Sequence, residues 1–182
     1  MDTVEHLQAT FETVVVRIKK EGAAFMPQIE VLTSMSGISV ITAIAVITDV
    51  IDVCRFRNSK HFASYLRSAP RVESSNDKIV IKSTSKAGRK LSITLLSQSL
   101  NHFRDENKKL NTWYERVSIF KKKGIIRMAL CRRVITEIYQ MLKKEEYHYY
   151  RNPVLHDKKL AEYRKFLLKE SVILHENQLI PA

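Results

Sequence analysis

Between residues 3 and 21 the apolar positions recur at three- and four-residue steps: Val4, Leu7, Phe11, Val14, Val15 and Ile18. That spacing is one face of an amphipathic helix, and Gly22 supplies its stop. The opposite face is polar, so the stripe needs a partner. Pro27 opens a short helix through Leu32, followed by a turn at Gly37. The segment Val40 to Val50 is almost wholly apolar. Its β-branched residues argue for a buried strand, but its length, its alanines and the preceding turn predict a buried helix, with Ser36 as the plain cap. Asn58 or Ser59 caps a helix from Lys60 to Arg67, whose apolar face is Phe62, Tyr65 and Leu66, and Pro70 ends it. Residues 71 to 87 are polar and read as a loop, except that Lys78 to Lys82 alternates weakly, as a short strand does. Three more helices are predicted at Arg89 to Phe103, Lys109 to Phe120 and Ile125 to Tyr150, and a last one at Asp157 to Leu174.

The fold this predicts is mainly α. It is a helical domain with a helix-hairpin-helix-like unit around Gly37, a small irregular β element near Ile79 and an N-terminal coiled-coil-like helix. The division expected is residues 1–31 as an amphipathic linker arm, 32–150 as the central domain and 151–182 as a helical tail.

Composition sharpens this. A chain of 182 residues with 45% apolar content carries a real core, burying roughly 70% of the unfolded surface. Four glycines and four prolines are too few for an all-β sandwich. The net charge of +12 and a pI near 9.8 favour a polyanionic partner, nucleic acid before an anionic membrane. Lys121, Lys122 and Lys123 join Arg127, Arg132 and Arg133 in a basic cluster, with no acid from Arg116 to Arg133. Trp113 is read as a core indole and Tyr147 to Tyr150 as a packing corner, with base stacking the less common use of each. Cys54 and Cys131 are far apart and read as reduced core thiols of a cytoplasmic protein. The six histidines show no ligand spacing, so no zinc site is expected. Val40 to Val50 is too short to span a bilayer.

The motifs lie between Leu32 and Gly88. Gly37-Ile38 sits before an apolar helix. Then come Asp49, Asp52, Arg55 and Phe56, then Tyr65, Pro70 and Arg71, then Ser75, then Lys86 and Gly88. In this order and spacing they resemble the C-terminal domain of the insertion-sequence 110/116/902 transposases over roughly residues 30 to 145. The family pattern reads Pro-Gly-Ile-Gly, Glu-x-Gly-Asp-x-x-Arg-Phe, Tyr-x-Gly-Leu-x-Pro-Arg, Ser-Gly and Lys-x-Gly-Asn. This chain departs from it. Ser36 and Ser39 flank Gly37, Ile51 takes the place of the second motif's Gly, and Arg67-Ser68 stands for Gly-Leu. Asn76 follows the serine, and Arg89 replaces Asn. Most of the lost residues are glycines, which serve tight turns and close backbone approach.

The resemblance implies a catalytic serine, Ser75, that attacks a DNA phosphodiester. It also implies a separate N-terminal domain, resembling Holliday-junction resolvases, whose four carboxylates hold magnesium. A serine hydroxyl needs a base or a metal to activate it. The chain is read as starting after that domain, with no cofactor of its own, so cleavage by this chain alone is not expected. Nucleic acid is expected to meet Gly37, Ile38, Ser39, Arg71, Lys78, Lys82, Lys86, Gly88, Lys121, Lys122, Lys123, Arg127, Arg132 and Arg133. The amides after Gly37 face a phosphate on this reading, and the lysines and arginines track the backbone. DNA is the implied partner, with a structured RNA in many family members, and the N-terminal helix is expected to pair subunits. Two other readings stay open: a non-catalytic nucleic-acid-binding module, and a helical interaction protein.

Overall fold

The computed structural model describes the backbone of residues 2–75, 78–84 and 88–178, and the side chains within residues 3–70 and 88–171. In chain order the helices begin with α1 (Asp2–Gly22), a 3₁₀ turn (Ala23–Phe25), α2 (Met26–Thr33), α3 (Val40–Val50) and α4 (Ser59–Tyr65). Two strands follow, β1 (Pro70–Ser75) and β2 (Lys78–Thr84). Then come α5 (Leu91–Gln98), α6 (Leu100–Glu106), α7 (Lys108–Ser118), α8 (Lys123–Lys144) and α9 (Pro153–Gln178). The fold is mainly α, as the periodicity predicts.

Helix α8 is the spine. It packs against α2, α4, α5, α6 and α7. Ile126, Leu130, Val134, Ile135 and Ile138 recur at three- and four-residue steps along it and are buried. Helix α3 lies against α1, α2 and α5. It is a helix despite its β-branched residues, because Ser39 caps it and almost every side chain is buried. The Ser39 hydroxyl accepts the Thr42 amide at 3.1 Å, so the cap is Ser39 rather than Ser36. Asp49 near its end is buried and reaches across to α5, accepting the Ser92 amide at 3.0 Å and the Ser92 hydroxyl at 2.6 Å. It thus caps a neighbouring helix whose own N-cap, Lys90, provides no side-chain bond. Helix α4 starts at Asn58, whose side chain accepts the Lys60 and His61 amides.

The strands form an antiparallel hairpin in which Ser75 pairs with Lys78 and Pro70 with Thr84, with an irregularity between Pro70 and Val72. The β element near Ile79 is therefore present. The polar tract from 71 to 75 is its first strand rather than a loop, since pairing with β2 satisfies its backbone whatever its side chains prefer.

Several predicted boundaries move. The span Arg89 to Phe103 is two helices, broken at Ser99, whose amide turns back to the Leu95 and Leu96 carbonyls. The Ser97 hydroxyl donates to Thr94 O in the same turn, a side-chain bond that competes with helix continuation. The long helix expected from Ile125 to Tyr150 stops at Lys144. Glu145 takes a left-handed conformation, φ 57° and ψ 33°, and the Glu145 and Glu146 amides close on Met141 O. The chain then folds back, and the His148 amide donates to the Ser34 hydroxyl at 2.8 Å. Cys131 is buried, and burial pushes its thiol up to about 12. Cys54 is exposed, not a core thiol. It sits in the turn after α3, where Asp52 accepts its amide at 2.8 Å.

Helix α9 docks on α1 and α2. The Tyr163 hydroxyl donates to Lys19 O, Arg164 pairs with Glu30, and the His156 ring meets Glu30 O at 2.9 Å. The N-terminal half of α1 stands free of these contacts. Val4, Leu7 and Phe11 are 62%, 63% and 69% exposed.

Candidate nucleic-acid interface

The hairpin leaves the helical body after α4 and returns before α5, and its root is tightly built. Gly88 holds φ +100°, and a Cβ there would lie 2.3 Å from Tyr65 O. Only glycine fits both the conformation and the space. Gly88 O accepts the Arg67 Nε–H at 2.7 Å, so α4's end and α5's approach are joined. Arg67 itself has φ 58°. Beside them the Arg55 guanidinium lies 4.7 Å from the Phe56 ring centre and 4.6 Å from that of Tyr65. Phe56 is buried against Phe62, with centroids 5.2 Å apart, and Tyr139 donates to Phe56 O. The aromatic wall is therefore anchored on α8. The positive charge of Arg55 first and Arg89 second holds the Tyr65 phenol below its usual range, against the smaller upward push of burial. Two guanidinium side chains near one phenol are groups that a phosphate also pairs with.

The second locus is the turn before α3. Gly37 has φ +90°, and a Cβ there would press Phe103 at 3.0 Å. Ile38 is fully buried and its amide donates to Met35 O at 3.2 Å. Among the described residues nothing accepts the amides of Val40 and Ile41, so these form the open mouth of the helix. They line an open cleft of ≈ 260 Å³ with Lys19, Ser39, Lys159, Glu162, Tyr163 and Phe166. Lys159 donates to Ile38 O at 3.0 Å. Burial lowers its pKa, with Glu106 opposing. Helices α1 and α9 thus wall the mouth.

The third is the α7–α8 hairpin. Lys121, Lys122 and Lys123 are exposed in its turn. Arg127 donates to Ser97 O on α5 at 3.1 Å, while Arg133 stacks over Trp113 of α7 at 4.2 Å. The basic cluster is consequently divided over two faces of α8. Trp113 is half-buried against the core, and its outer side borders a shallow hollow lined by Lys108, Lys109, Thr112 and Arg116.

Residues 29–110 match the family described as "Transposase IS116/IS110/IS902 family". Just under half of the chain is thus similar to that family. Over 119 residues the chain is 27% identical to the transposase for insertion sequence element IS1111A of Coxiella burnetii. That match covers 62% of this chain and 32% of the relative, so the chain spans about a third of that protein's length.

Two departures of this chain from the family pattern acquire a physical meaning. Ile51 and Arg67 stand where the pattern has glycine, and both keep positive φ, 63° and 58°. The backbone has retained the glycine conformation after losing the glycine.

Of the residues singled out from the sequence, Gly37, Ser39 and the buried Ile38 share the α3 turn. Gly88 lies at the hairpin root, and Lys121, Lys122, Lys123, Arg127, Arg132 and Arg133 lie along the start of α8. Ser75 ends β1, Arg71 lies on β1, and Lys78 and Lys82 lie on β2. Their side chains are outside the described residues, as is Lys86 altogether. The sequence reading missed Arg55, Tyr65, Arg67 and Arg89 as site residues. Arg55 and Tyr65 belong to the motifs themselves, and that was the available signal. Among the described residues no three His, Cys, Asp or Glu side chains gather as a metal requires. Asp49 and Asp52 are already engaged with Ser92 and Cys54, so the described side chains do not fit magnesium. No described helix is long and apolar enough to cross a membrane.

Proposed function

We propose that this chain works in DNA transposition as the part of a transposase that grips DNA and presents the Ser75 hydroxyl to a phosphodiester. The observation that carries this reading is the hairpin root, where Arg55, Tyr65, Arg67, Gly88 and Arg89 meet. All five occupy family motif positions, with Arg55, Tyr65 and Gly88 keeping the family's residue, and they give a basic seat at the base of the strand that ends in Ser75. In the reaction the Ser75 Oγ–phosphorus bond forms as a phosphorus–oxygen bond of the DNA strand breaks. The hydroxyl proton goes to a base and the DNA oxygen leaves. The serine ester conserves the bond energy until a second strand takes the phosphoryl group. A serine hydroxyl needs a base or a metal to activate it, and a carboxylate domain supplied separately would provide that chemistry. Arg55 and Arg89 stand at the root, about 16 Å along the strand from Ser75, and pair with another phosphate of the same nucleic acid rather than with the one attacked. The α2–turn–α3 pair acts as a helix-hairpin-helix-like unit, with the Val40 and Ile41 amides toward a second phosphate. The setting is the cytoplasm, where the DNA is, and a structured RNA is a further polyanion for the same basic surfaces.

The test is a gel assay for a covalent protein–DNA adduct on supercoiled element-end DNA, with the carboxylate half of a related transposase supplied. The adduct is expected with the native chain and absent with Ser75→Ala. Arg55→Ala with Arg89→Ala weakens both binding and adduct. An adduct that survives Ser75→Ala removes the serine from the mechanism. Binding by both proteins with no adduct in either favours the second reading, a binding module without catalysis. The exposed apolar stripe of α1 favours subunit pairing alongside either.

A further inference from the structure

Three large apolar side chains stand out together at the α7–α8 turn. Ile119 is 76% exposed, Phe120 79% and Ile125 58%. They bracket Lys121, Lys122 and Lys123. The turn beneath them is firmly tied: the Phe120 amide donates to Val117 O, and the Ile125 and Ile126 amides return to Lys122 O. Ile126 is buried as the anchor. Lys122 caps α8 in an extended conformation and gives no side-chain bond, so the positive end of the helix stays open at the tip. A Cβ on Gly124 would have nothing within 4 Å, so space is clear beside the tip.

We propose that this tip is a wedge that enters a nucleic-acid duplex. Phe120 and Ile119 part a base step while Lys121, Lys122 and Lys123 hold the flanking phosphates. The proposal rests on the nucleic-acid-binding reading above and adds to it what the bound duplex undergoes. Exposed Phe or Ile set among cations is the chemistry of wedges that unstack and kink duplexes. Charge selects this occupant. Pairing with the same tip of a second copy would bring two triple-lysine runs together, a repulsive arrangement. A membrane surface is matched by a helix with an apolar face along its length. Here the apolar residues sit only at a corner, and the adjoining outer side of α7 carries Lys108, Lys109, Glu115 and Arg116.

Opening a step is easiest where pairing is already weak, and the experiment uses that. The chain is titrated against two duplexes alike in length and sequence, one with a central T·T mismatch beside a 2-aminopurine. Native protein is expected to bind the mismatched duplex several-fold more tightly and to raise the 2-aminopurine emission. Ile119→Ala with Phe120→Ala loses both the preference and the emission rise, while matched-duplex affinity and the thermal melt stay nearly unchanged, since both side chains are exposed. Lys121→Gln, Lys122→Gln and Lys123→Gln together weaken both duplexes alike and flatten the salt dependence. Matched-duplex binding with no preference and no emission rise overturns the wedge and leaves the binding reading standing. A preference that persists in the double Ala variant also overturns it. Failure to bind either duplex removes both readings. With the preference absent, binding to phosphatidylserine vesicles that the Ala variant loses assigns the tip to a lipid surface instead, and lost self-association assigns it to a second copy.

Discussion

Ile51 ends α3 at φ 63° and ψ −66°, and the next amide, of Asp52, closes on Val50 O at 2.8 Å. This is the γ-turn of positive φ, rare and strained, and a β-branched side chain makes it worse. Ile51 is 72% exposed, so it gains little packing in return. The strain is of order 1–3 kcal/mol, and glycine's extra chain entropy offsets part of its relief. Ile51→Gly is therefore expected to stabilise the fold by about 1 kcal/mol, read from urea unfolding. A lower midpoint in the variant would mean the turn is not strained. Gly88 runs the other way. Alanine there meets both positive φ and the Tyr65 carbonyl at 2.3 Å, so Gly88→Ala is expected to lose at least about 2 kcal/mol. Unchanged urea stability would show that the root can relax. At this scale the sequence was half legible. Gly88 stood out because the motif preserves it. Ile51 and Arg67 gave no sign of their backbone, since nothing in an isoleucine or arginine announces positive φ.

Helix α9 is held to the body through polar contacts as much as apolar ones. His156 is 2% exposed and its Nε2 meets Glu30 O; among the described residues its Nδ1 has no hydrogen-bond partner, the Asp157 carboxylate lying 4.0 Å away. Burial, then Arg151, lowers its pKa below 6.5, against the weaker opposing pull of the Glu30 carbonyl and Asp157. The unfolded chain therefore binds a proton more readily than the folded one. Stability is full above about pH 6.5 and falls as the pH drops from there toward the depressed folded value. In a pH series of melts, the native chain is expected to lose stability below pH 6.5 more steeply than His156→Gln, which keeps a donor for Glu30 O. Parallel curves would take His156 out of this role. Helices were the most legible elements, because three- and four-residue periodicity survives in α1, α4 and α8. Their ends were not. The break at Ser99 depends on side-chain-to-carbonyl bonds that compete with the next turn. The stop at Glu145 uses a left-handed glutamate where glycine is the usual signal. The strand β1 was hidden because polar residues 71–75 carry no alternation.

As a whole the molecule is a helical body around α8 with the hairpin leaving one edge and half of α1 standing free. The stripe of Val4, Leu7, Phe11 and Val14 is exposed along that arm, and amphipathic helices hide such stripes by pairing. If α1 pairs two copies, Leu7→Glu with Phe11→Glu is expected to shift sedimentation from dimer to monomer while the thermal melt of the body holds. An unchanged dimer would place the contact elsewhere. The mainly α architecture was legible from composition and period together. The convergence of Arg55, Tyr65, Arg67 and Arg89 was not, because it brings together residues from both sides of the hairpin and depends on how α4 meets the start of α5.

The bond from Arg67 to Gly88 O closes the chain just outside both strands. Part of the entropy lost in bringing those ends together is offset by this clasp and by Gly88's seat on Tyr65, apart from the pairing of the strands. Changes within β1 and β2 are thus expected to leave the helices on either side in place. A hairpin grafted between these two fixed posts from a distant relative should fold in place, with the helices on either side left as they are.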